Sequence, residues 1–522
     1  MAVNGQMEYN KDNKFISIIM NVYICLIGFG LPLAIKNKYF DIMLFKYYYY
    51  CFCTITMAIL IFGYFFCLKI RKIKFNGKLS FNNIVKGLVR TDYLILTFLL
   101  VLILSTFSSD YFYESFWGNE GRFTGLFLYI WYIISYFCIS RLWKFKSWYL
   151  DIIILSGVIV CVLGITDYFR MDLFKFKVGM IEEQKDIFVS TIGNINTYTS
   201  YVGMIVAMAA VLFSSTFKLK KMAFYYMSMT IGFFAIIMGN SDNAYISIGA
   251  LLFFLPLILF RNSNGVKRYI IILATFFSVL EIISLINNHY SGSTMKIDSS
   301  YNLIIGYKCF PVLLVIIWMI VAVWCLYDCF KNNKAVEFGK KPRRIWLLFI
   351  LLIFLIIVYG IFDCTFAGNS EKYGSLASYL LFNDEWGTHR GYIWRNAIEC
   401  YNKFSIWKKL VGFGPETFGI LLLQKTAGNP YHQLFDSAHN EYLHLLTTVG
   451  VLGLLSYVAF VIELVRGAIK KNMTDIYIIA VSFAIICYSA QATVNLNVPL
   501  VTPILWLLFG IISAKANDKN DI

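Results

Sequence analysis

Apolar runs of roughly 20 residues follow one another along almost the whole chain, with short polar segments between them. A run of that length forms a helix that crosses a membrane, since an α-helix rises about 1.5 Å per residue. We expect an all-α, polytopic transmembrane helix bundle of about 12–14 spans. The candidate runs cover residues 15–35, 47–68, 92–108, 124–140, 150–168, 194–214, 223–240, 243–260, 269–288, 303–330, 345–365, 440–464, 474–491 and 499–514. Only Ser241 and Asp242 separate two of these runs, as a tight external turn or a partly re-entrant break.

The composition agrees with a membrane protein. Of the 522 residues, 59% are hydrophobic and only 15% are charged, whereas soluble domains carry about 25% charged residues. The first run, 15–35, is too long for the core of a signal peptide and lacks an A-x-A-like site, so we interpret it as an uncleaved span. The 12 cysteines are scattered, mostly in apolar runs, and contain no C-x-x-C. They are predicted to be small core residues rather than disulfides or metal ligands.

The net charge of +16 raises the question of a nucleic-acid partner. The basic residues, however, cluster in every second loop, as the positive-inside rule requires of a membrane protein. The clusters lie at 69–90, 141–146, 218–221, 261–268, 340–344 and 466–471. The pattern therefore predicts a membrane topology with both termini in the cytoplasm, and no nucleic-acid binding.

One polar segment is much longer than the others. Residues 366–438 separate an N-terminal transmembrane region, 1–365, from C-terminal transmembrane helices in 439–522. By the charge pattern this large loop is external. Its composition predicts short amphipathic helices that form a structured cap on the membrane surface.

Two helices are expected within this loop. Residues 388–401 have helical periodicity, and Arg390 shares one face with Trp394 at i, i+4 spacing. A second helix is predicted to begin at Pro415, with Glu416 in its first turn.

His439 stands where the loop enters the predicted span 440–464. In one continuous helix it would share a face with Gly450 and Gly453, and glycines there permit close helix packing. A histidine of near-neutral pKa can accept a proton from a sugar hydroxyl. A helix-capping or interface histidine bonded to water is an equal alternative.

A metal site is not expected. His444 lies five positions after His439, so the H-x-x-x-H zinc spacing is absent. His432 with Asp436 is a weak alternative metal pair. The chain also has no D-x-D pair, which disfavours a metal-dependent nucleotide-sugar transferase.

Two arginines and two asparagines are further candidates. Arg390 lies on an apolar helix face, where a guanidinium needs an anion such as a diphosphate, unless it snorkels to the interface. Arg122, in the short loop before the fourth span, either grips a phosphate or anchors its helix. Asn194 and Asn196 open the sixth span, as an ordinary N-cap or as part of a helix N-terminus that binds an anion.

Two features remain outside these groups. Glu281 and Lys308 fall toward the outer half of their spans and either face a cavity or pair with each other. Gly412-Phe413-Gly414 resembles part of a phosphate loop, but no G-K-[ST] follows it, so we interpret it as a turn.

At these residues the chain resembles the O-antigen ligase family of bacterial envelope glycan ligases and polymerases. His439-Asn440, nine residues, Gly450, two residues and Gly453 match that family's histidine motif. Arg390 and Trp394 match its Arg-x-x-x-Trp pattern. Gly412-x-Gly414 before a short helix is similar to the family, and Asn194 with Asn196 adds weaker support.

One departure from the family pattern concerns the donor. Many members have a Ser-Arg pair at the external start of a middle helix, where the arginine holds the donor phosphate. Here the stretch reads Ser241-Asp242-Asn243. Either Arg122 or a lysine supplies that charge, or this chain handles a different donor.

The resemblance implies a GT-C-like fold and a metal-independent, inverting glycosyltransferase without a cofactor. The implied donor is a polyprenyl-diphosphate-linked glycan, such as one on undecaprenyl diphosphate, at the outer face of the cytoplasmic membrane. The acceptor would be a glycan, lipid or protein.

The resemblance also implies roles for single residues. Arg390, and Arg122 with it, would hold the diphosphate, and His439 would take the acceptor proton. Asn440 and Glu441 would orient the site, and Trp394, Asn194 and Asn196 would contact substrate.

The sequence leaves ligase and polymerase both open, because they differ in the acceptor and use similar donors. A transporter or flippase of lipid-linked glycans is the alternative from another class, and a non-catalytic scaffold in an envelope-polymer complex is a third. A flippase explains the many spans and the intramembrane charges. It does not explain a structured external loop rich in Arg, Trp and His, and it predicts repeated halves that the sequence lacks.

Overall fold

The structure is a computed structural model that describes residues 2–70, 87–119, 121–290, 292–297, 299–306, 309–331 and 335–517. Over these residues nearly all regular structure is helical. One antiparallel hairpin, Phe188–Val189 (β1) with Gly193–Asn194 (β2), is the only sheet that they form. Within the same ranges, 11 helices are long and apolar enough to cross a membrane, and three shorter apolar helices accompany them.

The described residues form two compact units, each built from separate stretches of chain. Unit 1 comprises Met1–Ser156, Ala397–Ile485 and Leu496–Ile522, and unit 2 comprises Gly157–Asn396 and Ile486–Asn495. The segments predicted from the sequence, 1–365, 366–438 and 439–522, describe membrane topology. The compact units follow other boundaries, because each unit combines stretches from more than one of these segments.

Unit 1 contains the first and the last apolar helices of the chain. Its helices are α1 (Ala2–Cys25, continued by a π turn Leu26–Gly30 and by Leu31–Leu33), α2 (Ile42–Ile70), α3 (Arg90–Phe107), α4 (Phe112–Trp117), α5 (Leu126–Leu142), the first part of α6 (Trp148–Tyr168) and, later in the chain, those within Ala397–Ile485 and Leu496–Ile522. Within this unit α5 packs against the last helix of the chain, Thr502–Asn517. Trp506 stacks on Tyr132 there, with ring centroids 5.3 Å apart.

Unit 2 is built around one helix that is buried on every side. Its elements are the end of α6, α7 (Glu182–Lys185), β1, β2, α8 (Ile195–Ser215), α9 (Leu219–Met238), α10 (Asn243–Phe254), α11 (Pro256–Leu259), α12 (Ser263–His289), α13 (Ser299–Ile305), α14 (Phe310–Lys331), α15 (Lys341–Thr365), a 3-10 helix (Ser370–Leu376), α16 (Ala377–Leu380) and the start of α17 (Trp386–Lys403). The most apolar window of α8 is 100% buried. Small residues such as Gly203 and Ala207 allow its neighbours to approach closely.

Two helices of unit 2 have the opposite character. The apolar windows of α14 and α15 are only 11% and 6% buried inside the protein. Their exposed Leu, Ile, Val and Phe side chains form an apolar surface that is suited to contact with lipid.

The remaining helices carry the C-terminal motifs. They are α18 (Ile406–Val411), α19 (Phe418–Thr426), α20 (Glu441–Thr448), α21 (Gly450–Lys471), α22 (Ile476–Gln491), a 3-10 turn (Ala492–Val494) and α23 (Thr502–Asn517).

Each predicted apolar run overlaps one of the apolar helices, so the predicted all-α membrane fold is confirmed. Two of the predicted runs are longer than the single helices that the structure contains there. The run 303–330 contains a separate short helix, α13, before α14 begins at Phe310, and the run 440–464 is broken into α20 and α21. Lys308 and residues 71–86 of the first basic cluster lie outside the described residues, so the pairing of Lys308 with Glu281 stays a prediction.

The segment after α15 is more helical than the two predicted helices suggest. The helix predicted over 388–401 is found as α17, although Gly387, Thr388 and His389 have positive φ angles inside it. The prediction of a helix that begins at Pro415 is wrong. Glu416 has φ +56°, which lies outside the right-handed helical region, and α19 begins at Phe418.

Candidate functional site

His439 lies just before α20, at the end of an irregular loop of unit 1. Asn440 caps the helix, because its Oδ1 accepts hydrogen bonds from the backbone N–H groups of Tyr442 and Leu443, both at 3.0 Å. His439 has φ +45°, and its backbone N–H donates to Ser437 Oγ at 3.1 Å. The histidine therefore projects from a fixed, left-handed position outside the helix, where its side chain is partly exposed.

The shared helix face of His439, Gly450 and Gly453 is not found. The helix ends at Thr448 and begins again at Gly450, which has φ +77°. Since His439 precedes the first helix and the glycines belong to the second, rotation along one helix does not relate them. The structure gives the glycines another role.

That role is a close backbone contact with the Gly412-x-Gly414 turn. A Cβ at Gly450 would lie 2.6 Å from the Gly412 nitrogen, which no side chain tolerates. The N–H groups of Phe413 and Gly414 donate to the carbonyls of Thr447 and Thr448, at 3.0 and 2.9 Å. The turn therefore satisfies carbonyl groups at the broken end of α20.

Arg122 lies between α4 and α5, and its guanidinium is already engaged by carboxylates. Its Nη2 and Nε donate to Asp436 Oδ1 and Oδ2 at 2.6 and 3.3 Å, a two-pronged contact. Its Nε is also 3.9 Å from Glu416 Oε1. Burial alone would raise the pKa of Asp436, but the charge and hydrogen bonds of Arg122 outweigh burial and lower it.

Glu416 is buried and meets groups from two other segments. Thr124 Oγ1 donates a hydrogen bond to Glu416 Oε2, and His444 Nε2 lies 3.6 Å from the same oxygen. The His444 ring stacks on Phe418, with centroids 5.4 Å apart. Burial lowers the pKa of His444, and the neighbouring charge of Glu416 opposes that shift only in part.

Glu441, the residue after the cap, is a second buried carboxylate of unit 1, only 3% exposed. Its Oε1 accepts hydrogen bonds from Tyr457 Oη at 3.1 Å and Asn497 Nδ2 at 3.3 Å. Asn497 Nδ2 also donates to Tyr129 Oη at 3.2 Å. Glu441 thus joins α20 to α21, α5 and the chain before α23.

In unit 2, Asn194 and Asn196 make internal hydrogen bonds. Asn194 Oδ1 accepts from the Asn196 N–H at 2.9 Å and caps α8. Asn196 Oδ1 accepts from Ser241 Oγ at 2.6 Å and from Asn243 Nδ2 at 3.1 Å. The Asn196 carbonyl also receives side-chain donors from Gln491 and Asn495, at 3.3 and 2.9 Å. These bonds join three parts of unit 2 at one residue.

Arg390 stands at the start of the regular part of α17. Its Nη1 donates to the Gly387 carbonyl at 3.1 Å. Burial lowers its pKa, and the opposing influence is the charge of Asp242. Among the described residues, neither the buried Arg390 Nε nor the buried Asp242 Oδ1 has a hydrogen-bond partner.

Trp394, one turn after Arg390, belongs to an aromatic cluster. Its ring lies 5.3 Å from that of Trp386 and 6.0 Å from that of Phe382. Trp386 Nε1 in turn donates to the Tyr379 carbonyl at 3.0 Å. The cluster braces the helix that carries Arg390.

The predicted site residues thus divide between the units. His439, Asn440 and Arg122 lie in unit 1, and Arg390, Trp394, Asn194 and Asn196 lie in unit 2. Sequence reasoning missed Glu416 and His444 as one cluster with Arg122, because their proximity depends on tertiary structure. Within the described ranges, no three His, Cys, Asp or Glu side chains form a group that could hold a metal ion.

The helices define the class: this is an all-α, polytopic membrane protein. Residues 299–458 match the family model described as O-Antigen ligase, which supports assignment of the chain to the O-antigen ligase family, as the sequence predicted. The matched range contains the Arg390, Gly412, His439 and Gly450 motifs but not Arg122, Asn194 or Asn196. It supports a membrane enzyme similar to O-antigen ligases and polymerases. No curated protein matches the chain.

Proposed function

We propose that this protein transfers or polymerises a glycan from a polyprenyl-diphosphate-linked donor onto an acceptor hydroxyl, with His439 as the base. The observation that carries the proposal is the position of His439. It lies inside the matched domain, on a loop fixed by the Ser437 and Asn440 side chains, and its charge helps to lower the pKa of the Asp436 carboxyl.

The proposed chemistry is a single displacement. The acceptor oxygen forms a bond to the anomeric carbon while the bond from that carbon to the diphosphate oxygen breaks. The diphosphate leaves with the electron pair, and the His439 imidazole accepts the acceptor proton. Attack opposite the leaving group inverts the anomeric configuration.

The surroundings of His439 favour the acceptor over the diphosphate. In unit 1 the positive charge of Arg122 faces two carboxylates, Asp436 and Glu416, and Glu441 adds a third on α20. A diphosphate would meet net negative charge there. Arg122 is therefore better suited to anchoring Asp436 than to gripping a phosphate, and the acceptor hydroxyl is the group that this site can receive.

Arg390 is the proposed ligand for the diphosphate. It is a partly buried cation whose buried Nε donor is unused, and such a guanidinium binds phosphate oxygens strongly once desolvated. The charge of Asp242 opposes the effect of burial on the Arg390 pKa. A bound phosphate would compete with Asp242 for the guanidinium. Trp394 would hold the helix of Arg390 in place by its aromatic contacts.

The other predicted ligands have weaker support. Asn440 uses its side-chain oxygen to cap α20, which leaves its amide N–H₂ for substrate. Asn194 and Asn196 are engaged in unit 2, and their geometry supports a structural role.

The setting in the cell follows from the same proposal. The enzyme would lie in the cytoplasmic membrane with both termini inside and the loop 366–438 outside. Its partners would be membrane lipids, the lipid-linked glycan and a glycan, lipid or protein acceptor. The reaction as proposed needs no cofactor and no metal ion.

The test uses the full-length protein in lipid vesicles with a polyprenyl-diphosphate-linked repeat unit, and analyses the glycan products. We expect His439→Ala to abolish product formation. His432→Ala is the matched control, because His432 is an exposed histidine of the same loop, and it should retain normal activity.

The outcomes separate the alternatives. Chain growth with donor alone indicates a polymerase, and inertness until an acceptor is added indicates a ligase. Normal product from His439→Ala rules out the proposed base. Movement of donor across the vesicle membrane without any glycosidic bond formation favours a flippase.

A further inference from the structure

Glu416 is an acidic side chain in an unusual place. It is only 4% exposed, and its backbone φ of +56° is a conformation that L residues with a long side chain rarely adopt. Residues held in such conformations concentrate at functional sites, where the surrounding structure enforces them. The carboxylate is not part of the reaction described above.

The backbone around Glu416 explains how this conformation is maintained. Thr417 Oγ1 and the Thr417 N–H both donate to the Gly414 carbonyl, at 2.6 and 3.3 Å, and close the turn. The Gly414 N–H is fixed to α20 through Thr448, and Gly414 itself packs so closely on Ser109 and Ser115 that a Cβ there has no space. Glu416 is thus held between α19, α20 and the chain before α4.

The Glu416 side chain meets three partners from two segments. Thr124 and Arg122 come from the loop before α5, and His444 comes from α20. A buried carboxylate is costly without such partners. This one therefore fixes the Arg122 loop against α20.

Arg122 extends the arrangement to the histidine loop. Its guanidinium lies between Glu416 on one side and Asp436 on the other, with only 12% of the side chain exposed. A Cβ at Gly419 of α19 would lie 3.2 Å from the Asp436 Cα, so the absence of a side chain there lets the helix approach the loop. Asp436 precedes His439 by three residues, and the charge of the imidazole is one of the influences that lower the pKa of the Asp436 carboxyl.

We propose that Glu416 is a positioning residue for His439: its buried carboxylate fixes Arg122, and Arg122 fixes Asp436 where its charge acts on the imidazole. This inference rests on the proposed role of His439 as the base. The charged and titratable groups that interact with the cluster are Arg122, Asp436 and His439 from the two loops, His444 from α20 and Tyr129 from α5.

The test measures kcat, the KM for the donor and the pH dependence of kcat with the full-length protein in vesicles. The variants are Asp436→Asn and Glu416→Gln. Glu399→Gln is the matched control, because it removes a carboxylate from an ion pair with Lys425 (3.0 Å) in the same unit, on a surface with 41% of the glutamate side chain exposed.

Both cluster variants should lower kcat by about tenfold or more, the scale of a misplaced general base, while the KM for the donor stays within about twofold. The acid limb of the kcat profile should move to lower pH, because loss of a nearby anion disfavours the protonated imidazole. Asp436→Glu keeps the charge and should restore part of kcat and the wild-type limb. Glu399→Gln should leave all three quantities unchanged.

Wild-type kcat and pH profile in Asp436→Asn, together with an inactive His439→Ala, overturn the positioning role and leave the proposed function intact. An active His439→Ala overturns both. If Glu416→Gln fails to fold, Asp436→Asn alone tests the positioning role. The Asp436 side chain is 59% exposed, and Arg122 is the one buried group that loses a partner when Asp436 is replaced.

Discussion

Gly412 and Gly450 contact each other through their backbones, and neither position has space for a Cβ. The contact lies where α20 breaks from α21, and both residues have positive φ angles, +86° and +77°. Two glycines of separate sequence motifs thus form one structural element, which holds the helix that follows His439.

Gly450→Ala should destabilise the protein by about 1–3 kcal/mol, since it adds a strained φ and a backbone clash. Gly467→Ala in the same helix α21 is the control, because a Cβ there meets nothing within 4 Å. Replacing a glycine in a helix interior with alanine should stabilise by about 1 kcal/mol. Unfolding midpoints in detergent measure both changes, and equal midpoints for the two variants contradict the contact.

Asp242→Asn should lower the KM for the lipid-linked donor by roughly threefold to tenfold, because Arg390 no longer faces a carboxylate that competes with phosphate. Arg390→Ala should raise the same KM. Asp384→Asn is the control in unit 2, since Asp384 pairs with the exposed Arg395 at 2.6 Å. An unchanged or higher KM in Asp242→Asn would argue against Arg390 as the diphosphate ligand.

His444, with 18% of its side chain exposed, should make stability depend on pH. Its folded-state pKa lies below the usual value of 6.5, so the unfolded chain binds its proton first as the pH falls. Stability from this residue is present above pH 6.5 and is lost between 6.5 and the lower folded pKa. We expect His444→Gln to flatten that part of the melting-temperature curve, whereas His432→Gln, at an exposed position, should not.

Asn196→Ala should destabilise the protein by about 2–4 kcal/mol, because it removes the acceptor of Ser241 Oγ and one of the two acceptors of Asn243 Nδ2. Asn194→Ala removes only a helix cap and should cost about 1 kcal/mol. Thermal unfolding of both variants, with donor KM measured in parallel, distinguishes structure from substrate binding. A large rise in KM at normal stability would return Asn196 to the substrate site.

The positions of the apolar helices could be predicted because span length depends on local composition alone, and α8 or α15 need no tertiary information to be recognised. The break in the helix at Gly450 could not be predicted in this way. A helical pattern runs through residues 440–464, and only the approach of Gly412 explains why the helix stops. Local periodicity carries no information about a contact between residues that are far apart in the sequence.

The candidate site was predictable to a similar degree. His439 and Arg390 were proposed from motif and position, and their roles stay predictions. The partners of Arg122 could not be predicted, because Asp436 lies 314 residues further along the chain. The acidic residue in the Gly-Pro turn, Glu416, was a visible signal, but the pattern assigned it to a helix start that does not form.

The division into two units also limits how the family match can be used. Residues 299–458 begin within unit 2 and end within α21 of unit 1, while Arg122, which holds the Asp436 loop, lies far outside that range. A fragment cut at the limits of the match would lose α3, against which its own helices α18 and α21 pack. Swapping this segment between relatives would therefore transplant the histidine without the residues that hold its loop. Exchanges that aim to change specificity have to follow the compact units and not the limits of the match.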